Sequence, residues 1–168
     1  MPFHTYALDN IDELAESVQV EFKLARGRDG QGKVPEDMWE TYSAFANTIG
    51  GEIILGVREL NGQFTLEGIP KPDPMLEHLW QRFNDKRYIS HNLLSPNDIQ
   101  LISIQGKSLI RIRVPQAPLQ YRPIYIGEDA YSGSYFRIND ADMRASHEQV
   151  ARMLLQAKTA QSSDDNSL

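Results

Sequence analysis

Apolar Val18, Val20, Phe22 and Leu24 alternate with polar Gln19, Glu21 and Lys23, the period of two that marks a half-buried strand with Glu21 and Lys23 on one face. Ahead of it, Asp9–Ala15 reads as a short helix. Behind it, Gly27–Lys33 is a glycine-rich loop, closed by Pro35 at a first helical position with Glu36 and Asp37 in the first turn, where the helix dipole favours anions. The spacing of Met38, Tyr42, Phe45 and Ile49 predicts the helix itself. Gly50-Gly51 ends it, because glycine accepts the left-handed conformation common at a helix terminus. Glu52–Val57 follows as an apolar run without alternation, the pattern of a central strand covered on both faces.

Asn61-Gly62 is a hairpin signal leading into Gln63–Leu66. Asp73-Pro74 starts a second helix, with Leu76, Leu79, Trp80 and Phe83 on one stripe. After a turn at Ser95-Pro96-Asn97-Asp98, strands Ile99–Gln105 and Ser108–Val114 flank a Gly106-Lys107 loop, glycine first as a type II′ turn prefers. Alternation sends Ile110, Ile112 and Val114 inward, and Arg111 and Arg113 outward together. A further pair of short strands falls at Ile124–Ile126 and Ser134–Ile138. Ser146 and Gln149 form a capping box for a last helix carrying Val150, Met153, Leu154 and Ala157.

These elements predict an α+β fold. Its single domain, residues 1–158, holds a mixed, mostly antiparallel sheet, two helices in the N-terminal half and a closing C-terminal helix, and the first strand and helix supply one parallel pair. Residues 159–168 read as a polar tail or a linker to a further domain.

Composition narrows the function classes. The 168 residues are 40% hydrophobic and 24% charged, enough for a core and unlike a disordered chain. The absence of cysteine excludes a disulfide framework, a cysteine nucleophile and thiolate metal sites, and it fits a reducing, cytoplasmic setting. No apolar stretch reaches the roughly 18 residues of a membrane span, and the first ten residues lack the pattern of a signal peptide, so neither insertion nor export is expected. The net charge of −6 argues against indiscriminate binding of polyanions. The distribution is uneven, −6 over Met1–Leu60 and +3 over Lys107–Lys158.

Three constellations bear on chemistry. Gly27-Arg28-Asp29-Gly30-Gln31-Gly32-Lys33-Val34 nearly matches the phosphate loop G-x-x-x-x-G-K-[ST], but Val34 stands where a hydroxyl would hold Mg²⁺ and Pro35 removes an amide from the helix start. It reads as a surface loop. Glu16 and Glu21 bracket the start of the first strand, and Glu59 follows the central one. If those strands are neighbours, three carboxylates converge beside Lys23, the donor type that holds Mg²⁺ or Mn²⁺ for phosphodiester hydrolysis; acids at strand ends also serve as solvated faces and ion pairs. Finally, Arg111, Arg113, Arg122 and Arg137 with Tyr125, Tyr131 and Tyr135 combine phosphate-pairing and base-stacking side chains, though such arginines also pair with cross-strand acids. His4, His78, His91 and His147 have no metal-ligand spacing.

The blocks Glu16-Ser17, Glu21-Phe22-Lys23, Ala44-Phe45-Ala46-Asn47-Thr48 with Gly50-Gly51, Leu55-Gly56-Val57 and Gly133-Ser134-Tyr135-Phe136-Arg137 stand in an order that resembles the Schlafen AlbA-like domain family. The resemblance covers about Asp12 to Ala157 and implies a mixed α/β domain, described as related to archaeal Alba proteins. It carries a DNA-binding label in bacterial transcriptional regulators and, in other descriptions, a divergent ATPase (AAA) label. In animal Schlafen proteins this domain type is associated with RNA cleavage by three acids, whose positions match Glu16, Glu21 and Glu59 here.

Three readings follow. One is a nucleic-acid-binding module, for DNA or RNA, with Lys23, Arg111, Arg113 and Arg137 meeting phosphates. A second is a metal-dependent ribonuclease, with Glu16, Glu21 and Glu59 as catalytic ligands of Mg²⁺ or Mn²⁺. The third is a protein-interaction domain, as a homodimer through a sheet edge.

Overall fold

The computed structural model describes the backbone of Thr5–Leu8 and residues 19–166, with side chains through residue 162. The predicted helix at Asp9–Ala15 and the candidate ligand Glu16 fall outside the described residues. The fold is mixed α/β, and its chain divides into two compact units. Residues 1–38, 51–81 and 94–114 form the first, and residues 39–50, 82–93 and 115–168 the second.

The first unit is built on a five-stranded sheet in the order β1-β6-β7-β3-β2, from β1 (Thr5–Leu8), β2 (Val20–Lys23), β3 (Gly51–Leu55), β6 (Ile99–Ile104) and β7 (Lys107–Val114). β3 lies inside the sheet, antiparallel to β7 and parallel to β2, so the apolar run read as a central strand is one, and the opening strand is its neighbour. A second parallel pair, β1 with β6, was not legible in the sequence. Ile53, Ile54 and Leu55 are fully buried.

That run does not reach Val57 as one strand. Gly56, at φ 105°, donates its amide to the Lys23 carbonyl (2.8 Å) and turns the chain into β4 (Val57–Leu60). A Cβ at Gly56 would stand 2.8 Å from Leu109 Cδ2, so glycine is needed for both conformation and space. β4 pairs with β5 (Gln63–Leu66) around Asn61-Gly62, both at positive φ as a type I′ hairpin requires. Phe64 and Leu66 pack on a cluster of Phe22, Ile54, Val57, Ile102, Ile104 and Leu109. The β6–β7 turn is Gln105-Gly106, both at positive φ, one residue earlier than predicted, which places Lys107 in the strand.

Two helices span the boundary between the units along the chain: α1 (Asp37–Ala46) and α2 (Pro72–Phe83). Met38, Tyr42 and Phe45 are fully buried, as the spacing predicts, but the helix ends at Ala46 and leaves Ile49 61% exposed. In the second unit Trp39 and Tyr42 each meet the Phe83 ring edge-on. β8 (Tyr135–Ile138) pairs with β9 (Ala141–Arg144) and not with Ile124–Ile126, which contributes only the isolated bridges Tyr125–Ser134 and Ile126–Ile89. The reason is the Asn139-Asp140 turn, with Asn139 at φ 56°. A short helix α3 (Ala130–Gly133) precedes β8. The Ser146–Gln149 capping box forms, and α4 (His147–Asn166) continues through most of the stretch read as a tail. Val150 and Met153 are buried with Ala145, whereas Leu154 faces solvent. No helix among the described residues is long and apolar enough to cross a membrane.

Candidate functional site

Strand register decides which of the expected site residues share a surface. In the parallel pair, Glu21 and Lys23 stand opposite Ile53 and Leu55, while Val20 and Phe22 stand opposite Glu52 and Ile54. In the antiparallel pair, Arg113 stands opposite Glu52 and Arg111 opposite Ile54. Residues opposed in this way project to one side of a sheet. Glu21 and Lys23 therefore occupy one face, and Arg111, Arg113 and Glu52 the other. Lys23 is not part of a single basic surface with the two arginines.

Three of the four cations also have partners of their own. Lys23 is 8% exposed, with its Nζ 3.3 Å from Asp37 and 4.0 Å from Glu21. Arg111 makes a bidentate pair with Glu52, Nη2 to Oε1 at 2.8 Å and Nε to Oε2 at 3.2 Å. Arg113 is exposed on the same face. Arg137 belongs to the second unit and is 8% exposed, with its guanidinium over the Phe45 ring and Nη1 2.8 Å from Asp142, which also accepts from the Thr41 hydroxyl. An arginine buried in this way meets phosphate only by giving up that pair. Arg113 is thus the member of the expected set that stands open to a ligand.

The carboxylates are separated similarly. Glu21 points away from the Phe22 cluster and sits against Lys23. Glu59 is exposed on β4, opposite Phe64, on the side of the hairpin that bears Phe64 and Leu66. Among the described residues no group of three or more His, Asp or Glu is placed to hold a metal ion. Of the three expected ligands, Glu21 already faces a cation, Glu59 projects from the hairpin on the side of Phe64 and Leu66, and Glu16 lies outside the described residues.

The Gly27–Lys33 loop does something the sequence did not reveal. Its amides turn inward: Gly32 donates to the Arg26 carbonyl (2.7 Å), Lys33 to that of Ala25 (3.1 Å), and Gln31 to the Asp29 carboxylate (3.0 Å). A phosphate cradle needs free amides, so this loop does not act as one. It folds instead against the start of α2, and between them lies a cavity of about 320 Å³. Lys33, Lys71 and His78 line it, over a floor that includes buried Val34 and Met75. Arg26 and Arg28 are exposed on the same loop. Lys71 and His78 lie some forty residues from the loop in sequence, and the i, i+4 spacing of Pro74 and His78 hints only that Pro74 and His78 share a helix face.

The block Ala44–Thr48 has a structural role in the second unit. Asn47 is 5% exposed; its Nδ2 donates to the carbonyls of Ile124 (2.8 Å) and Tyr135 (3.0 Å), and its Oδ1 accepts from the Ile124 amide (2.8 Å). The Ser43 hydroxyl donates to Ile124 and accepts from the Tyr135 amide, and Thr48 Oγ1 accepts from the Arg137 amide. Side chains of α1 and of the turn after it thus satisfy a segment that has little strand pairing of its own. Nearby, Tyr42 donates to the His91 carbonyl (2.8 Å) and accepts from the Leu93 amide (3.1 Å). Burial pushes its phenol well above the usual range, so it stays protonated.

Comparison with known proteins finds a family model, described as Schlafen, AlbA_2, matching residues 16–146. Among solved structures, the chain is similar to the solution structure of the N-terminal domain of an ATP-dependent DNA helicase RecG-related protein from Nitrosomonas europaea. The identity is 28% with a TM-score of 0.54, over 80% of this chain and 88% of that one. It is also similar in fold to the DIP2311 protein from Corynebacterium diphtheriae, at 21% identity and TM-score 0.52. That match covers 76% of this chain and 22% of the other, so the chain spans about a fifth of that protein's length. No curated protein matches.

Proposed function

We propose that this chain, which belongs to the Schlafen, AlbA_2 family, is a nucleic-acid-binding module that meets the phosphate backbone through the cations of its glycine-rich loop. The observation that carries the reading is local. Arg26, Arg28, Lys33 and Lys71 are all exposed in and beside one loop of a chain whose net charge is −6. The loop's one carboxylate, Asp29, is occupied in part by the Gln31 amide. Cations held this way release counterions when they meet phosphate, the main source of affinity in such contacts. Arg113 adds a further cation on the sheet, and Arg111 joins it only if Glu52 is displaced. The family membership and the likeness to a domain of a helicase-related protein support the same class. Within this reading the module serves a cytoplasmic transcriptional regulator.

The test is fluorescence anisotropy with labelled single-stranded and duplex DNA and RNA at about 50 mM salt. Binding that weakens about tenfold or more in Arg26→Glu/Arg28→Glu supports the proposal. No detectable binding to any of the four, or affinity unchanged by the double reversal, would remove it.

A further inference from the structure

From the cavity between the glycine-rich loop and α2 we infer a site for one nucleoside phosphate unit, its phosphate on Lys33 and Lys71 and its base on the floor of Val34, Pro74 and Met75. The inference rests on the nucleic-acid reading above and deepens it by naming the unit recognised.

Five observations carry it. The lining holds two lysines and a histidine and no carboxylate, in a chain with 23 acidic residues against 17 basic ones. Its volume of about 320 Å³ is at the small end of the roughly 300–1,000 Å³ typical of ligand pockets. The floor is apolar, with Val34 and Met75 4% and 7% exposed, and a thioether is an adaptable, polarisable surface for a flat ring. Both lysines are exposed and have no ion-pair partner among the described residues, so neither must abandon a carboxylate to bind. Gly32, at φ 104°, sits where a Cβ would stand 3.5 Å from the Met75 methyl, so the loop backbone closes directly on the floor.

The arrangement differs from a phosphate loop in its chemistry. The inward-turned amides leave charge recognition to the lysine side chains, which suits a monoanionic or dianionic phosphate group at the cavity mouth. A base reaches the floor only when it is unpaired, so the site selects a single strand or a free nucleotide over a duplex.

The experiment uses the full chain and amide-resolved NMR, titrated with AMP, with adenosine, with inorganic phosphate, and with a short single-stranded oligonucleotide. The expected result is AMP-induced shifts at residues 31–34 and 71–78, with weaker effects from adenosine or phosphate alone. Lys33→Ala/Lys71→Ala, at exposed positions where the fold is retained by circular dichroism, should lose about tenfold or more in AMP affinity. Displacement of AMP by the oligonucleotide assigns the unit to a strand. AMP binding at these residues without oligonucleotide binding supports the nucleoside phosphate site and assigns it to the free nucleotide, while removing the nucleic-acid reading. Oligonucleotide binding that leaves residues 31–34 and 71–78 unshifted and is unaffected by the double variant would overturn the inference and leave that reading standing. No response of the cavity to AMP or oligonucleotide would also overturn it.

Discussion

Replacing Asn47 by alanine tests whether a family block does structural work. The change removes the acceptor of the Ile124 amide and one donor to the Tyr135 carbonyl, while the Ile124 carbonyl keeps the Ser43 hydroxyl at 2.7 Å. Each buried polar group left without a partner costs about 1–3 kcal/mol, so two of them predict a loss of about 3 kcal/mol. At roughly 2–4 °C per kcal/mol for a chain of this size, the melting temperature should fall by about 6–12 °C. Circular dichroism melts read the fall, and amide exchange at Ile124 should accelerate in step. Asn47→Asp sharpens the test, because it keeps the acceptor for the Ile124 amide but turns a carboxylate oxygen toward two carbonyls. It should destabilise at least as much as alanine. A fall below about 2 °C in Asn47→Ala would refute the argument that this side chain replaces strand pairing.

Three further outcomes follow from local geometry. Gly56→Ala places a Cβ 2.8 Å from Leu109 at a φ of 105°, and should lower stability by about 2–5 kcal/mol in urea unfolding; a loss under about 1 kcal/mol would show that the turn relaxes freely. Burial, with Lys86 adding to it, holds the His91 imidazole below its ordinary value. The unfolded chain therefore takes up this proton first as pH falls through about 6.5, and stability falls with it. His91→Phe, which keeps a ring against Tyr121, should flatten that part of the pH dependence of the urea midpoint, and an unchanged profile would contradict the assignment. Arg113→Ala should weaken oligonucleotide binding about equally for all sequences and reduce the magnitude of the salt slope by about 1, whereas a change in sequence preference would mean that it reads bases.

The sequence was most informative where a residue's role is local. Val20–Lys23, the Asn61-Gly62 turn and the Ser146 cap need only nearest neighbours in the chain, and all formed, whereas the helix read as running up to Gly50 ends at Ala46. Long-range partners were less legible. Alternation correctly put Glu21 with Lys23 and Arg111 with Arg113, yet only the pairing register with β3 shows that these pairs use opposite faces. Arg137 reads as an exposed strand cation, and its burial depends on Asp142 arriving through the Asn139-Asp140 turn. The cavity was invisible for the same reason. Lys33 has a weak motif around it, but Lys71 and His78 acquire meaning only once α2 lies against the loop.

The most direct measurement of the central claim is the affinity for a single-stranded oligonucleotide as a function of salt, for the wild-type chain and for Arg26→Ala/Arg28→Ala. If the loop meets three or four phosphates, log K should fall against log[salt] with a slope of about −2 to −3, and losing two contacts should bring it near −1. A slope near zero, or one that the double variant leaves unchanged, would contradict the account.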